Sequence, residues 1–268
     1  MHTRNSPSTK WLVTLLHSRG KPHRLTVEDV KKLNVVTKKV KEAPVTLTFR
    51  PLRIHDDLEQ LTVFSDAGFK KEELDGYALR VALYLRHSGH LYDAPGNPSG
   101  KDVQCHVILA ESRSIKTVCR STYAAELMSA TSATDVLIPL IVTLSELRYG
   151  PFGAEKLRRI RDEGWQGRSP VHTHVMIDAK SVYASIEAIV FKPPAEQSLL
   201  GHVLWLRETH LKGVIDNVVW TDTRDMYADG LTKDVIKRDA LMEDMSGILR
   251  LVHKVAACTY RRTFTHAD

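Results

Sequence analysis

The sequence predicts an α/β fold, a mixed five-stranded sheet with helices on its faces. Two observations carry this. Three apolar, β-like runs follow one another over residues 61–65, 77–85 and 103–110, the pattern of an antiparallel meander. Beyond them strand-like and helix-like stretches alternate, which sets further strands parallel beside the meander. There is no internal repeat and no Gly-x-x-x-x-Gly-Lys phosphate loop.

Each element follows from its residues. Residues 1–24 are mostly polar and basic, apart from Trp11 to Leu16, and are expected to be poorly ordered. Thr26 caps a helix, with Asp29 three residues on. Val27, Val30, Leu33, Val36 and Val40 then recur at helical spacing, and Lys31, Lys32, Lys38, Lys39 and Lys41 make the helix basic. The bland account of those lysines is a solvated face; the sharper one is a phosphate-contacting face. Pro44 ends the helix, and Val45 to Phe49 alternates as a strand. Leu61 to Ser65 is a stronger strand, and Asp75-Gly76 marks a turn before the strand Tyr77 to Leu85. Residues 87–101 hold Gly89, Pro95, Gly96, Pro98 and Gly100 and read as a long loop, followed by the strand Val103 to Ala110. Ser121 caps a long helix reaching about Leu147. Residues 148–170 read as an inserted loop or short helix with a basic run, Arg158, Arg159, Arg161 and Arg168. Val171 to Ile177 is a strand, a helix starts at Ala179, and Pro193-Pro194 breaks it. Leu199 to Leu211 is an amphipathic helix, Val214 to Trp220 a strand, and residues 225–250 read as helical with Gly230 and Gly247 as weak points.

Composition narrows the function classes. At 268 residues the chain can bury a substantial core. No uninterrupted apolar run reaches the roughly 18 residues of a membrane span, and the N-terminus lacks a secretion signal, so a cytoplasmic or nuclear protein without membrane attachment is expected. Cys105, Cys119 and Cys258 are far apart with no Cys-x-x-Cys pair, which argues against structural zinc. The formal charge of +6 is compatible with a polyanionic partner. No Gly-x-Ser-x-Gly elbow is present, which disfavours a serine hydrolase. His172 and His174 alternate on one strand with no third ligand in view, so a surface or packing role is expected, and Trp205 and Trp220 are expected in the core.

The chemistry lies in four acids: Asp66 after Leu-Thr-Val-Phe-Ser, Glu126 in Ser-Thr-Tyr-Ala-Ala-Glu-Leu, Asp178 after His-Val-Met-Ile, and Asp229 in Tyr-Ala-Asp-Gly-Leu-Thr-Lys. Taken singly, each has a plain explanation as a turn residue, a helix cap or a solvated side chain. Together they suggest a divided site. Crowded carboxylates raise each other's pKa, and hard divalent cations with oxygen ligands offset the repulsion. Four such groups can hold two Mg²⁺ ions, with Asp66 bridging from the central strand.

The same residues carry a family resemblance. From about Leu61 to Lys233 the chain resembles the ribonuclease H domain that ends the Pol polyprotein of copia-type retrotransposons. Ser65-Asp66-Ala67-Gly68-Phe69 stands where that family has Ser-Asp-Ala-Asp-Trp. Asp75-Gly76-Tyr77 stands for its Ser-Gly-Tyr, and Lys116-Thr117-Val118 followed by Ala125-Glu126 matches its Lys-Thr-Val and Ala-Glu without a gap. Ile177-Asp178-Ala179-Lys180-Ser181-Val182 replaces Cys-Asp-Asn-Gln-Ser-Ala, with Ala179 in the place of the Asn. Ala228-Asp229-Gly230-Leu231-Thr232-Lys233 matches Ala-Asp-Ile-Leu-Thr-Lys and is the most specific of these.

The resemblance implies a ribonuclease H-like sheet, with Asp66, Glu126, Asp178 and Asp229 as catalytic, metal-binding carboxylates. It implies Mg²⁺ as cofactor, with Mn²⁺ as the alternative, and cleavage of the RNA strand of RNA–DNA hybrids. The reverse transcriptase's own catalytic segment, with its paired aspartates, is absent, so the chain is not expected to polymerise DNA. The implied organisation is an N-terminal segment with the basic helix over 1–59, resembling the reverse transcriptase connection, a ribonuclease H-like domain over 60–240, and a C-terminal helix and tail over 241–268. The remainder of a Pol polyprotein is the implied partner. Two other readings are an inactive nucleic-acid-binding remnant of the same fold and a metal-dependent DNA nuclease.

Overall fold

The computed structural model describes residues 26–42, 47–52, 59–70, 77–93, 96–165, 169, 171–232 and 243–258. The turn expected at Asp75-Gly76, the tail before Thr26, Arg168 and Lys233 lie outside the described residues. In chain order the elements are α1 (Val27–Glu42), β1 (Glu59–Lys70), β2 (Tyr77–Ser88), β3 (Tyr92–Asp93), β4 (Asn97–Pro98), β5 (Val103–Ser114), α2 (Thr122–Tyr149), α3 (Ala154–Glu163), β6 (His172–Ile177), α4 (Lys180–Glu187), α5 (Leu200–Leu211), β7 (Asn217–Thr221), α6 (Asp229–Thr232), β8 (Ile248–Leu249) and β9 (Val255–Ala257).

The main sheet has the strand order β8-β5-β2-β1-β6-β7-β9. β1, β2 and β5 pair antiparallel as the meander, and β6 and β7 run parallel to β1. This is the expected mixed sheet, a meander beside parallel strands, with seven strands rather than five. The two additional strands are short edges from the C-terminal part of the chain. β8 pairs with β5 and β9 with β7, both antiparallel.

Among the described residues the helix expected over 225–250 is present in pieces, with residues 243–245 helical, and the edge strand β8 replaces its end. Only a 3₁₀ turn at Thr223–Asp225 and the single turn α6 precede residue 233 in that stretch. Further on, the chain turns at Gly247, whose φ of 88° suits glycine alone. A Cβ there would meet the Thr48 carbonyl at 3.2 Å, and Gly247 accepts a hydrogen bond from the Cys105 amide at 3.0 Å. The backbone is thereby handed to the sheet edge, where its amides find partners. Leu47 to Phe49 likewise forms no strand, because the Thr48 amide bonds the Met245 carbonyl instead. The loop expected over 87–101 is shorter than it reads, since β2 runs to Ser88 and β3 and β4 form a small antiparallel pair.

Alternation along β1 divides the core. Leu61, Val63 and Ala67 pack with Leu127, Leu137 and Ile141 of α2, Val182 and Ile186 of α4, and Val203 and Leu206 of α5. Phe64 faces the other way, into a core with Leu79, Met176, Tyr227, Leu231 and Leu249. α2 has the length and hydropathy of a membrane-crossing helix, yet Ala125, Leu127, Leu137 and Ile141 are buried against the sheet. Its cap is the expected one: the Ala124 amide donates to the Ser121 hydroxyl at 3.1 Å. Glu59, 3% exposed at the start of β1, is held by Arg86 of β2 at 2.6 Å and by Arg148 near the end of α2 at 3.4 Å. One buried acid therefore clamps two strands and a helix.

A layer of histidines sits near Glu59, at the start of β1 and β6. The Gly89 carbonyl can only accept, so His87 carries its proton on Nδ1 toward it at 3.2 Å, and Nε2 accepts from the Thr62 hydroxyl at 2.9 Å. His174 has the packing role expected for it: it is buried, with Nδ1 2.8 Å from the Tyr92 hydroxyl. Burial, and then the neighbouring His174, pull the His87 pKa down from 6.5 to about 3. Burial lowers that of His174 as well, with Asp216 opposing. The unfolded chain therefore takes up protons below about pH 6.5 that the folded chain refuses, so stability is full above that pH and falls as pH drops through the window. Urea unfolding at pH 5 should show a loss of about 2 kcal/mol for each such histidine relative to pH 7.5. His87→Gln should flatten the profile, and an equally steep profile in that variant would refute this account.

Candidate metal centre

The site begins with strand register. Asp66 lies inside β1, opposite Val81 of β2, and not at a strand end as its apolar run implied. It is 2% exposed. Asp178 is the first residue beyond β6. Ser65 pairs with Ile177, so the next residues along these parallel strands, Asp66 and Asp178, stand side by side, their backbones about 4.8 Å apart.

The third acid arrives on a helix. Glu126 lies early in α2, and Ser129, three residues on, shares its face. The Ser129 hydroxyl donates to the Asp66 carbonyl at 2.8 Å and accepts from the Ser65 hydroxyl at 3.0 Å. This pins α2 to β1 at the level of Asp66. As a result, carboxylate oxygens of Asp66, Glu126 and Asp178 all lie within 4.8 Å of one another. Asp178 is steadied by Trp220 of β7, whose indole N–H donates to its carbonyl at 2.8 Å, and the Lys180 ammonium sits 4.7 Å over the Trp220 ring. Trp220 thus packs partly on the core, as expected of it, and also braces the site.

Asp229 is placed differently. It opens α6, is 4% exposed, and is not one of the three acids within that 4.8 Å limit. α6 packs against β1 and β2, on the face that carries Phe64 and, by alternation, Asp66. The approach to α6 is anchored by Asp225, whose carboxylate accepts from the amides of Val252 at 2.9 Å and His253 at 2.6 Å and meets His253 Nδ1 at 2.8 Å. Asp222, just past β7, is committed elsewhere, since Arg224 binds both of its oxygens and holds its carboxyl well below the usual range.

Three carboxylates at this separation repel by about 3 kcal/mol per ionised pair at an effective dielectric constant near 20. A divalent cation offsets that cost. The donor set is all oxygen and contains no thiolate or imidazole, which fits a hard ion of the Mg²⁺ or Mn²⁺ type. The cysteines do not compete: all three are buried, and burial raises each thiol's pKa. Of the basic run of the insertion, Arg158, Arg159 and Arg161 lie in α3, where Arg159 and Arg161 pair with Glu155 and Asp162. Sequence reasoning passed over Ser129, although its helical spacing from Glu126 was a usable signal.

No protein-family model matches the chain, and no curated protein matches it. Among solved structures it is similar to the N-terminal RNase H domain of Rv2228c from Mycobacterium tuberculosis, fused to maltose-binding protein, at 16% identity over 69% of this chain and 98% of that one, with a TM-score of 0.37. It is also similar to LC11-RNase H1 in complex with RNA/DNA hybrid, at 12% identity over 64% and 93% of the two chains, with a TM-score of 0.36. A third similarity is to LC9-RNase H1, described as a type 1 RNase H with the type 2 active-site motif, at 12% identity over 65% and 64%, with a TM-score of 0.28.

The Ser129 tie has a measurable consequence. Ser129→Ala leaves the Asp66 carbonyl without this donor and should cost about 1 kcal/mol in urea unfolding. Calorimetric Mg²⁺ titration should show severalfold weaker binding, because α2 no longer holds Glu126 at a fixed height. Wild-type Mg²⁺ affinity in this variant would show that the tie does not position Glu126.

Proposed function

We propose that the chain is a divalent-metal-dependent endonuclease that hydrolyses the RNA strand of RNA–DNA hybrids. The observation that supports this best is the meeting of Asp66, Glu126 and Asp178 from β1, α2 and β6 on a ribonuclease H-like sheet. Divalent ions held by these acids would supply an activated water and neutralise the leaving oxygen. The protein's own part is to hold the ligands. Asp66, buried on the central strand, offers its oxygens between Glu126 and Asp178. Ser129 and Trp220 fix the backbone carbonyls at Asp66 and Asp178, the main chain from which the two carboxylates project. Asp229 is the fourth proposed ligand, brought to the Asp66 face by the Asp225 anchor. The formal charge of +6 suits a polyanionic substrate.

The lineage is a further part of the proposal. The run Ala228 to Lys233 and the gap-free spacing from Thr117 to Glu126 support descent from a copia-type Pol polyprotein, with the rest of such a polyprotein as a partner.

A hybrid labelled on its RNA strand should be cut in the presence of Mg²⁺ and left intact with a chelator, with duplex DNA untouched. Asp66→Asn should lower the cleavage rate by about 100-fold or more, since a ligand loss exceeds the cost of losing a supporting partner. Cleavage at the wild-type rate by Asp66→Asn would overturn the assignment.

A further inference from the structure

The row that carries two of the acids continues beyond them. Ser65 of β1 pairs with Ile177 of β6, and Ile177 with Trp220 of β7. One residue further along these parallel strands, Asp66, Asp178 and Thr221 therefore stand side by side. Val219 of β7 lies in the Phe64 core, so by alternation Thr221 is on that face too, the face of Asp66. Across β9 its partner is Val255, which belongs to the same core. Thr221 thus has an apolar side chain beside it in one direction and Asp178 in the other.

The Thr221 side chain is fully buried, and its hydroxyl has no hydrogen-bond partner. A buried hydroxyl without a partner costs free energy that a valine of the same shape does not. Packing alone therefore gives no reason for threonine at this place. The next acids in the chain are committed elsewhere. Arg224 binds both oxygens of Asp222, and Asp225 accepts from the amides of Val252 and His253. The carboxylate next to Thr221 in the row is that of Asp178. Backbones in such a row are about 4.8 Å apart, a spacing at which two short side chains meet.

We infer that Thr221 is a positioning residue of the metal centre, whose hydroxyl donates to the Asp178 carboxylate when a divalent cation is held. A carboxylate that ligates a cation through one oxygen leaves the other in need of a donor, and that donor sets its orientation. Consecutive residues of β7 then grip Asp178 from two faces. Trp220 holds its carbonyl at 2.8 Å, and Thr221 turns its side chain. The same hydroxyl is a burden to the fold and an asset to the ligand set, so its removal should move stability and metal affinity in opposite directions. The inference rests on the metal centre of the proposed function and adds to it the residue that aims its third ligand.

The test compares the full chain with Thr221→Val and Thr221→Ser. Urea unfolding in the presence of a chelator reads the fold, and calorimetric Mg²⁺ titration reads the site. Thr221→Val should raise the urea midpoint yet bind Mg²⁺ about tenfold more weakly, the range expected for loss of a group that orients a ligand. Thr221→Ser, which keeps the hydroxyl, should restore the affinity to near the wild-type value. Wild-type Mg²⁺ affinity in Thr221→Val overturns the inference. So does weaker binding that comes with a lower urea midpoint and is not rescued by serine, because that is the signature of a packing role. Neither measurement requires turnover. A chain that binds Mg²⁺ and shows this pattern but cuts no hybrid would refute the nuclease reading and leave Thr221 in its role.

Discussion

Everything at the candidate centre hangs on the register of β1. The strand is paired along both edges, antiparallel to β2 and parallel to β6. A one-residue slip would turn every side chain over. Phe64 would leave its core for the α2 face, and Asp66 would enter the apolar layer of Leu61, Val63 and Ala67. The two cores therefore protect the orientation of one carboxylate. Burying large apolar groups such as Phe64 and Leu61 is worth roughly 1.5–3 kcal/mol each, enough in sum to hold a buried acid in place.

The mixed sheet sorts its buried polar groups by end. Where β1 and β6 begin, burial keeps His87 and His174 neutral, and Glu59 is matched by Arg86 and Arg148. At the other end of those strands, Asp66 and Asp178 converge with Glu126. The first arrangement is closed in on itself and explains stability. The second concentrates like charge, which folding alone does not reward, and that asymmetry separates a site from a structural network. Ser129 links the two concerns: a small buried hydroxyl that fastens a helix to a strand also fixes the height at which Glu126 arrives.

Much of the fold was legible because its signals are local. β1, β2 and β5 announce themselves by apolar runs, α2 by its Ser121 cap and long apolar stretch, and α5 by its spacing. The misses share one cause. Ile248–Leu249 and Val255–Ala257 are too short to carry a periodic signal, and they are strands because β5 and β7 offer unpaired edges. The helix read over 225–250 gives way at Gly247, one of its expected weak points, where the turn and the Cys105 amide draw the backbone to the sheet. Tyr92–Asp93 and Asn97–Pro98 pair within a stretch whose glycines and prolines spelled a loop.

The sequence by itself determined the order of the elements and the chain positions of four acids, because side-chain periodicity and capping chemistry act over a few residues. It could not determine which acids meet. Asp66 and Asp178 are neighbours through the pairing of Ser65 with Ile177, and Glu126 joins them through the packing of α2 on the sheet and the Ser129 contact. Asp229 lies outside that 4.8 Å trio, at the head of a single helical turn on the face that carries Phe64. Strand register and helix docking join residues far apart in the chain, and no local pattern encodes them. The tertiary structure decided the site because only burial of the whole sheet fixes those two relations.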